Sequence, residues 1–416
     1  MRACIRRGAA EVGGSCVELE SGGRRLVLDV GLPLEMAGVA MRDLLPDVPG
    51  LWAPGDGSLE AVVLSHNHAD HVGLADLVAP GVRVLAGEAT ARIAREAAFF
   101  TPAARQLAID GELRDGRPLQ LGPFAVTPLL VDHSAFDAYA LLVEAEGRRL
   151  LYTGDVRAHG RKGRLFDELG RRAHDVDVML LEGTHVRRDE GQAGDSPTES
   201  DVEARCAETF RATAGMALVT YSGQNVDRLV TLYRAALRAD RDFVMDLYTA
   251  AVAAATGRDT IPQAGWERVR VFLPRAQRAR VIREEAFEKV DAVRADRVYP
   301  EELAERAGEL VMTFRMSMAP ELERANCLDG ASEVWSLWAG YLKGAGGERL
   351  REFLDRHGIP LVVHHASGHA SVAELQRLAG AVGAARTIPV HTEAPERFTE
   401  LFDGVELRAD GEWWDV

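Results

Sequence analysis

Cysteine is scarce in this chain of 416 residues. Cys4, Cys16, Cys206 and Cys327 are the full set, and no two form a CxxC pair. A disulfide framework is therefore not indicated, and a reduced cytosolic setting is expected. Long apolar runs are absent too. The softest stretch, Ala250 to Thr256, is far too short to span a bilayer. The amino-terminal MRACIRRGAAEVGG has no apolar segment of signal-peptide length. These readings lead to a cytoplasmic protein with no membrane partner. There is no internal repeat and no low-complexity tract. Positive charge is in deficit: 49 Lys and Arg face 64 Asp and Glu, a net charge of −15. That balance argues against coating nucleic acid nonspecifically, and leaves room for a local basic or metal-lined groove. With 47% apolar and 27% charged residues, the chain is an ordinary globular one. At roughly 150 residues per domain it holds two to three domains.

The first third reads as short strands broken by turns. CVELE (Cys16–Glu20), SGG and RRLVLDVG suggest a hairpin. Ala61–His66, GVRVLAG, FAVTPLLVDH and YALLVEAEGRRLLYTGD continue the pattern, and Val176–Thr184 is a further buried strand. GEATARIAREAAFF has apolar positions three and four apart, as in a helix. Residues 187–200 are polar with Gly and Pro, which marks a boundary. From there to about Pro360 strands alternate with helices, so a parallel sheet is expected. The last segment returns to the first style. The expected domains are 1–195 and 361–416 as two parts of one unit, with 196–360 inserted.

The strongest chemical signal is SHNHADH, Ser65 to His71, directly after an apolar strand. On extended chain His66 and His68 point to one side, and the following turn brings Asp70 and His71 round. Imidazoles and carboxylates are the donors that zinc prefers. Packing gives no reason to gather so many polar groups needing partners. Three further candidates sit at strand ends: His133, Asp155 and His391. Asp29, at the end of LVLD, is placed to support a ligating histidine through its other ring nitrogen.

HxHxDH, a strand-end His, TGD and a late strand-end His resemble the metallo-β-lactamase-fold pattern. LEGT (Leu181–Thr184), SGHAS (Ser367–Ser371) and IPVHTE (Ile388–Glu393) resemble motifs A, B and C of its β-CASP subgroup. LVTYSGQNVDRLVTLYRAA resembles the inserted domain of ribonuclease-J-type members. The resemblance implies an α/β fold, an αββα sandwich carrying an inserted α/β β-CASP domain. It implies two Zn²⁺, with Mn²⁺ as the alternative. His66, His68 and His133 would hold one ion, Asp70, His71 and His391 the other, and Asp155 would bridge. Glu182 and His369 join Asp70 as catalytic candidates, with His369 as general acid or charge stabiliser. The implied activity is hydrolysis of RNA by a two-metal-activated water, as an exo- or endonuclease. DNA or a small phosphoester is the alternative substrate. Because the chain ends soon after His391, the C-terminal domain of bacterial ribonuclease J is expected to be absent. Oligomeric state, homo-oligomer included, stays open.

Ser222, Gly223, Gln224 and Asn225 precede a helix and, with Ser367 and Gly368, are candidates to receive substrate phosphate; ordinary helix capping is the competing reading. The basic groups Arg157, Arg161, Lys162, Arg164, Arg171 and Arg172 flank a groove or form a solvated face. His159, His174, His185 and His357 read as surface residues. Trp335 and Trp338, at helical spacing, read as core, with base stacking as the competing use.

Overall fold

The computed structural model describes all residues except 35, 37, 102–105 and 189–195; part of the expected boundary loop at 187–200 thus lies outside the described residues. In chain order, β1 (Arg2–Arg7), β2 (Cys16–Ser21), β3 (Arg24–Leu28), β4 (Leu59–Val63), β5 (Arg83–Gly87) and β6 (Gly111–Leu113) build a first sheet. A second takes β7 (Leu119–Leu121), β8 (Phe124–Leu130), β9 (Tyr139–Ala145), β10 (Arg148–Tyr152) and β11 (Val178–Glu182). A third takes β12 (Ala217–Thr220), β13 (Asp242–Asp246), β14 (Val269–Phe272), β15 (Arg297–Val298), β16 (Leu310–Thr313), β17 (Ser332–Trp335) and β18 (Leu361–Val363). The chain then returns: β19 (Arg386–Val390) pairs with β11, and β20 (Trp413–Asp415) with β1.

The first two sheets share one core. Ala61 and Val63 of β4, Leu150 and Tyr152 of β10, and Val178 and Leu180 of β11 face into it. The residues between them face outward. Val62 packs under Val72 and Leu74, while Leu151, Met179 and Leu181 pack under Phe166, Leu169 and Leu375 of the covering helices. Covering both faces is why these strands read as continuous apolar runs instead of alternating ones. The result is an α/β metallo-β-lactamase fold with an additional parallel-sheet domain.

The chain divides into two compact units, one of Met1–Ala94, Arg105–Ser196 and Gly368–Val416, the other of Arg95–Ala104 and Pro197–Ser367. In the second, every strand pairing is parallel, in the order β15-β14-β13-β16-β12-β17-β18. β18 lies beyond residue 360 yet pairs with β17; a three-residue strand next to a loop carries too little pattern to place. Arg228 is fully buried here. Its Nε and Nη2 donate to Glu199 at 3.1 and 3.0 Å, and its Nη1 donates to the Ser336 carbonyl at 2.7 Å. One bidentate pair thus ties two helices to the exit of β17. Trp335 is the buried last residue of β17 and Trp338 lies beyond it, 56% exposed. The pair is not helical, because β-strand pairing to β12 sets the local backbone. All four cysteines are free and buried. Among the described residues no helix is long and apolar enough to cross a membrane.

Glu333, in the middle of β17, is fully buried, and burial pushes its carboxyl from 4.5 up to about 8. Between those values the unfolded chain loses a proton that the folded chain keeps, so stability falls as pH rises. Thermal unfolding is expected to show Glu333→Gln gaining on wild type progressively from about pH 5 to about pH 8. A constant difference across that range would contradict the buried neutral acid.

Candidate metal centre

The cluster is built on backbone before side chains. Past β4 the chain turns through His66 and His68 into the short helix Ala69–Val72, for which His68 is the N-cap. That turn docks on the entry to β2 and the exit of β3: Ser15 N donates to Asp70 O, Val30 N to His71 O, and Leu32 N to Ala69 O, at 3.0, 2.8 and 2.9 Å. The approach is so close that a Cβ on Gly31 would lie 1.7 Å from Asp70 O. Only glycine fits there. His133 and Asp155 follow β8 and β10, and His391 follows β19 directly.

Seven side chains converge. Donor atoms of His66, His68, His133 and Asp155 lie within 4.8 Å of one another, as do those of Asp70, His71, Asp155 and His391. Asp155 Oδ2 sits 3.5 Å from His66 Nε2, 3.2 Å from His71 Nε2 and 3.8 Å from His133 Nε2, and its Oδ1 is 4.0 Å from His391 Nε2. Asp70 Oδ2 is 3.6 Å from His391 Nε2. Asp155 belongs to both groups, so its two oxygens suit a bridging position.

The rings are oriented from behind. His71 Nδ1 donates to Asp29 Oδ2 at 2.7 Å, and His133 Nδ1 donates to the Gly368 carbonyl at 2.6 Å. Each bond orients the ring and turns Nε2 toward the cluster. His66 Nδ1 is 3.0 Å from Ser65 Oγ, which donates to Asp29 at 2.7 Å. Tyr152 Oη donates to the same carboxylate at 2.8 Å. His391 Nδ1 is held by Ser15 Oγ at 2.8 Å. Behind His133, Asp132 is locked by buried Arg157 at 3.1 Å. One member of the expected basic run is therefore an internal strut.

Burial pushes the rings of His66, His68 and His133 below their ordinary range, helped by neighbouring imidazoles at His66 and His133. Neutral imidazole is the ligating form. Burial also opposes charge on His71, but the carboxylates of Asp155 and Asp29 outweigh it and hold that ring well above its usual value. The fit to a metal rests on atoms without partners. His66 Nε2, His71 Nε2, His391 Nε2 and both oxygens of Asp155 are buried and make no hydrogen bond. Leaving five such atoms unsatisfied is costly. Divalent cations bound by nitrogen and oxygen would satisfy all of them, so the residues fit the group.

Glu182 and His369 adjoin the cluster. Glu182 Oε1 accepts from Val156 N at 2.8 Å, and its Oε2 lies 3.2 Å from His369 Nδ1. Burial opposes charge on His369, but Glu182 and Asp155 lift its ring to about 9. Two histidines expected at the surface are not there. His159 is buried, with Nδ1 3.1 Å from Glu374. His185 is half-buried, its ring centroid 6.1 Å from that of His369. Three residues after Glu182 on a tight turn, His185 shares the site; that short spacing was the available signal. Ser222 and Asn225 lie in the second unit. Ser222 is exposed, while Asn225 accepts from Arg228 N at 2.9 Å as a helix cap. Ser367 ends that unit, and Gly368 begins the return to the first.

Residues 25–220 match the family described as the beta-lactamase superfamily domain. The chain carries a metallo-β-lactamase superfamily domain and is distantly related to ribonuclease J over about half its length. Ribonuclease J from Mycobacterium tuberculosis is 28% identical over 257 residues, 58% of this chain and 43% of that protein. Ribonuclease J from Sinorhizobium meliloti is 27% identical over 230 residues, 53% of this chain and 39% of that protein. The matches thus span less than half of those relatives. A protein of unknown function from Enterococcus faecalis V583 has the same fold, with TM-score 0.81 and 19% identity over 99% of each chain.

Asp29→Asn keeps the shape but weakens the acceptor behind His71 and Ser65. Zinc added to metal-free protein is expected to raise the melting temperature of wild type, and an about 10- to 100-fold higher concentration to be needed for the variant. Equal zinc dependence in the two would remove Asp29 from this role.

Proposed function

We propose that this protein is a β-CASP-type phosphodiesterase that hydrolyses RNA with two Zn²⁺ or Mn²⁺ ions. The observation that carries the reading is the set of buried, partnerless donor atoms of His66, His71, Asp155 and His391. Ribonuclease J similarity supports RNA as the substrate class. His66, His68 and His133 would hold one ion, and Asp70, His71 and His391 the other, with Asp155 between them. When bound, such ions supply Lewis acidity toward a phosphoryl group and make water acidic enough to act as a nucleophile near neutral pH.

The chain's own residues do the rest. Asp29 keeps His71 and, through Ser65, His66 in place. Glu182, itself held by Val156 N, keeps a proton on His369 Nδ1 and orients the ring. A protonated His369 can stabilise charge growing on phosphate or release a proton to the leaving oxygen. Ser222 and the backbone at Ser367–Gly368 are the candidate contacts for substrate phosphate, whereas the Asn225 side chain serves as a cap.

Cleavage of 5′-labelled RNA tests this directly. His68→Ala and Asp70→Ala are expected to abolish cleavage. His369→Ala is expected to lower kcat by about 10²–10⁴ with metal content unchanged. Wild type and both ligand variants cutting equally would overturn the assignment. A panel of RNA, single-stranded DNA and bis(p-nitrophenyl) phosphate ranks the substrates; turnover of the small diester alone would replace RNA with a small phosphoester. Ser222→Leu is expected to raise KM for RNA at unchanged metal content, while Asn225→Leu costs about 1 kcal/mol of stability. Unchanged KM in Ser222→Leu would dismiss the phosphate contact.

A further inference from the structure

The second unit carries a surface feature that neither its core nor the metal cluster explains. Past the end of β17, Trp338 is 56% exposed and Tyr341 is 60% exposed. Their rings meet edge to face, with centroids 5.4 Å apart at 87°. The pair is rigid. Trp335 Nε1 donates to the Trp338 carbonyl at 3.3 Å, and Tyr341 N donates to the same oxygen at 3.2 Å. Leu342 is buried and closes the turn. A Cβ on Gly340 would meet the Trp338 ring at 2.3 Å, so the indole rests on the bare face of that glycine. Lys343 stands exposed two residues on.

Position adds to this. Ser336 N donates to Thr220 O at 2.8 Å, so the turn leaves β17 next to the end of β12, the strand that runs into Ser222. In a parallel sheet, the carboxyl ends of the strands form the ligand-binding edge. An aromatic pair, a cation and an exposed serine turn therefore lie along one such edge. The residues that follow the rings in sequence include Lys343, Gly344, Gly346 and Glu348, which are charged or small, unlike the apolar centre of a protein interface.

We propose that Trp338 and Tyr341 form a stacking platform for unpaired bases of single-stranded nucleic acid, with Lys343 meeting the adjoining phosphate. Every base has a face that stacks on an aromatic ring, and a preordered ring pays little to bind it. The proposal rests on the nucleic-acid reading above and deepens it.

The test uses full-length, zinc-loaded protein and a phosphorothioate-linked single-stranded uridine twelve-mer, which resists hydrolysis, so binding is read apart from cleavage. Trp338→Ala is expected to weaken binding about tenfold or more, and Trp338→Phe to retain most of it. Annealing the complement is expected to weaken wild-type binding and to erase the difference between the variants. Hydrolysis of bis(p-nitrophenyl) phosphate is expected to stay unchanged in both variants. Equal twelve-mer binding by wild type, Trp338→Ala and Tyr341→Ala would overturn the platform. So would sedimentation showing that Trp338→Ala splits a dimer, since the rings would then join two copies of the chain. Weakened binding in Trp338→Ala, together with no RNA cleavage by wild type, would uphold the platform while defeating the nuclease reading.

Discussion

The metal centre depends on one buried carboxylate that need not touch a metal. Asp29 accepts from Ser65 N, Ser65 Oγ, His71 Nδ1 and Tyr152 Oη, all within 2.8 Å. It does so from a left-handed backbone, φ 59°, which a non-glycine residue adopts only at a cost. His391 is held in the same region at φ 53°. Four hydrogen bonds to a charged acceptor outweigh that strain. Through them one residue at the end of β3 fixes the turn after β4, the His71 ring, the Ser65 link to His66, and a tyrosine at the end of β10. The first and second sheets are thereby pinned together at the edge where the donors gather.

Asp155 is the complementary constraint. Five imidazoles reach within 4.0 Å of its two oxygens, yet neither oxygen has a hydrogen-bond partner. Burial alone would push its carboxyl up; the rings of His71, His391 and His369 hold it well below the ordinary range. Without cations, this arrangement spends desolvation on atoms that gain little in return. With them, every orphaned atom has a use. The contrast separates this cluster from the buried Arg228–Glu199 pair of the second unit, where partners are complete and the function is architectural.

Much of this was legible in the sequence. Two- and three-residue spacing in SHNHADH, and polar residues stationed at the ends of apolar strands, announce donors on one edge of a sandwich. Asp29 was readable for the same reason. The rest depends on tertiary contact. Capping was one of the two readings open for Asn225, and three-residue spacing from Glu182 pointed to His185, but nothing local shows that Arg157 is buried under Asp132. The spacing of Trp335 and Trp338 suits a helix, but β17 claims the first and a turn presents the second to solvent. β18 and the pairing of β20 with β1 involve three-residue strands, whose pattern is too short to read. The Gly31 contact is visible only once the helix at Ala69 docks.

Seven converging side chains with orphaned donor atoms call for paired cations. Metal analysis of the purified protein after reconstitution with zinc or manganese tests this most directly. Wild type is expected to hold close to two ions per chain, and Asp155→Ala markedly fewer. Finding no bound metal in wild type would contradict it.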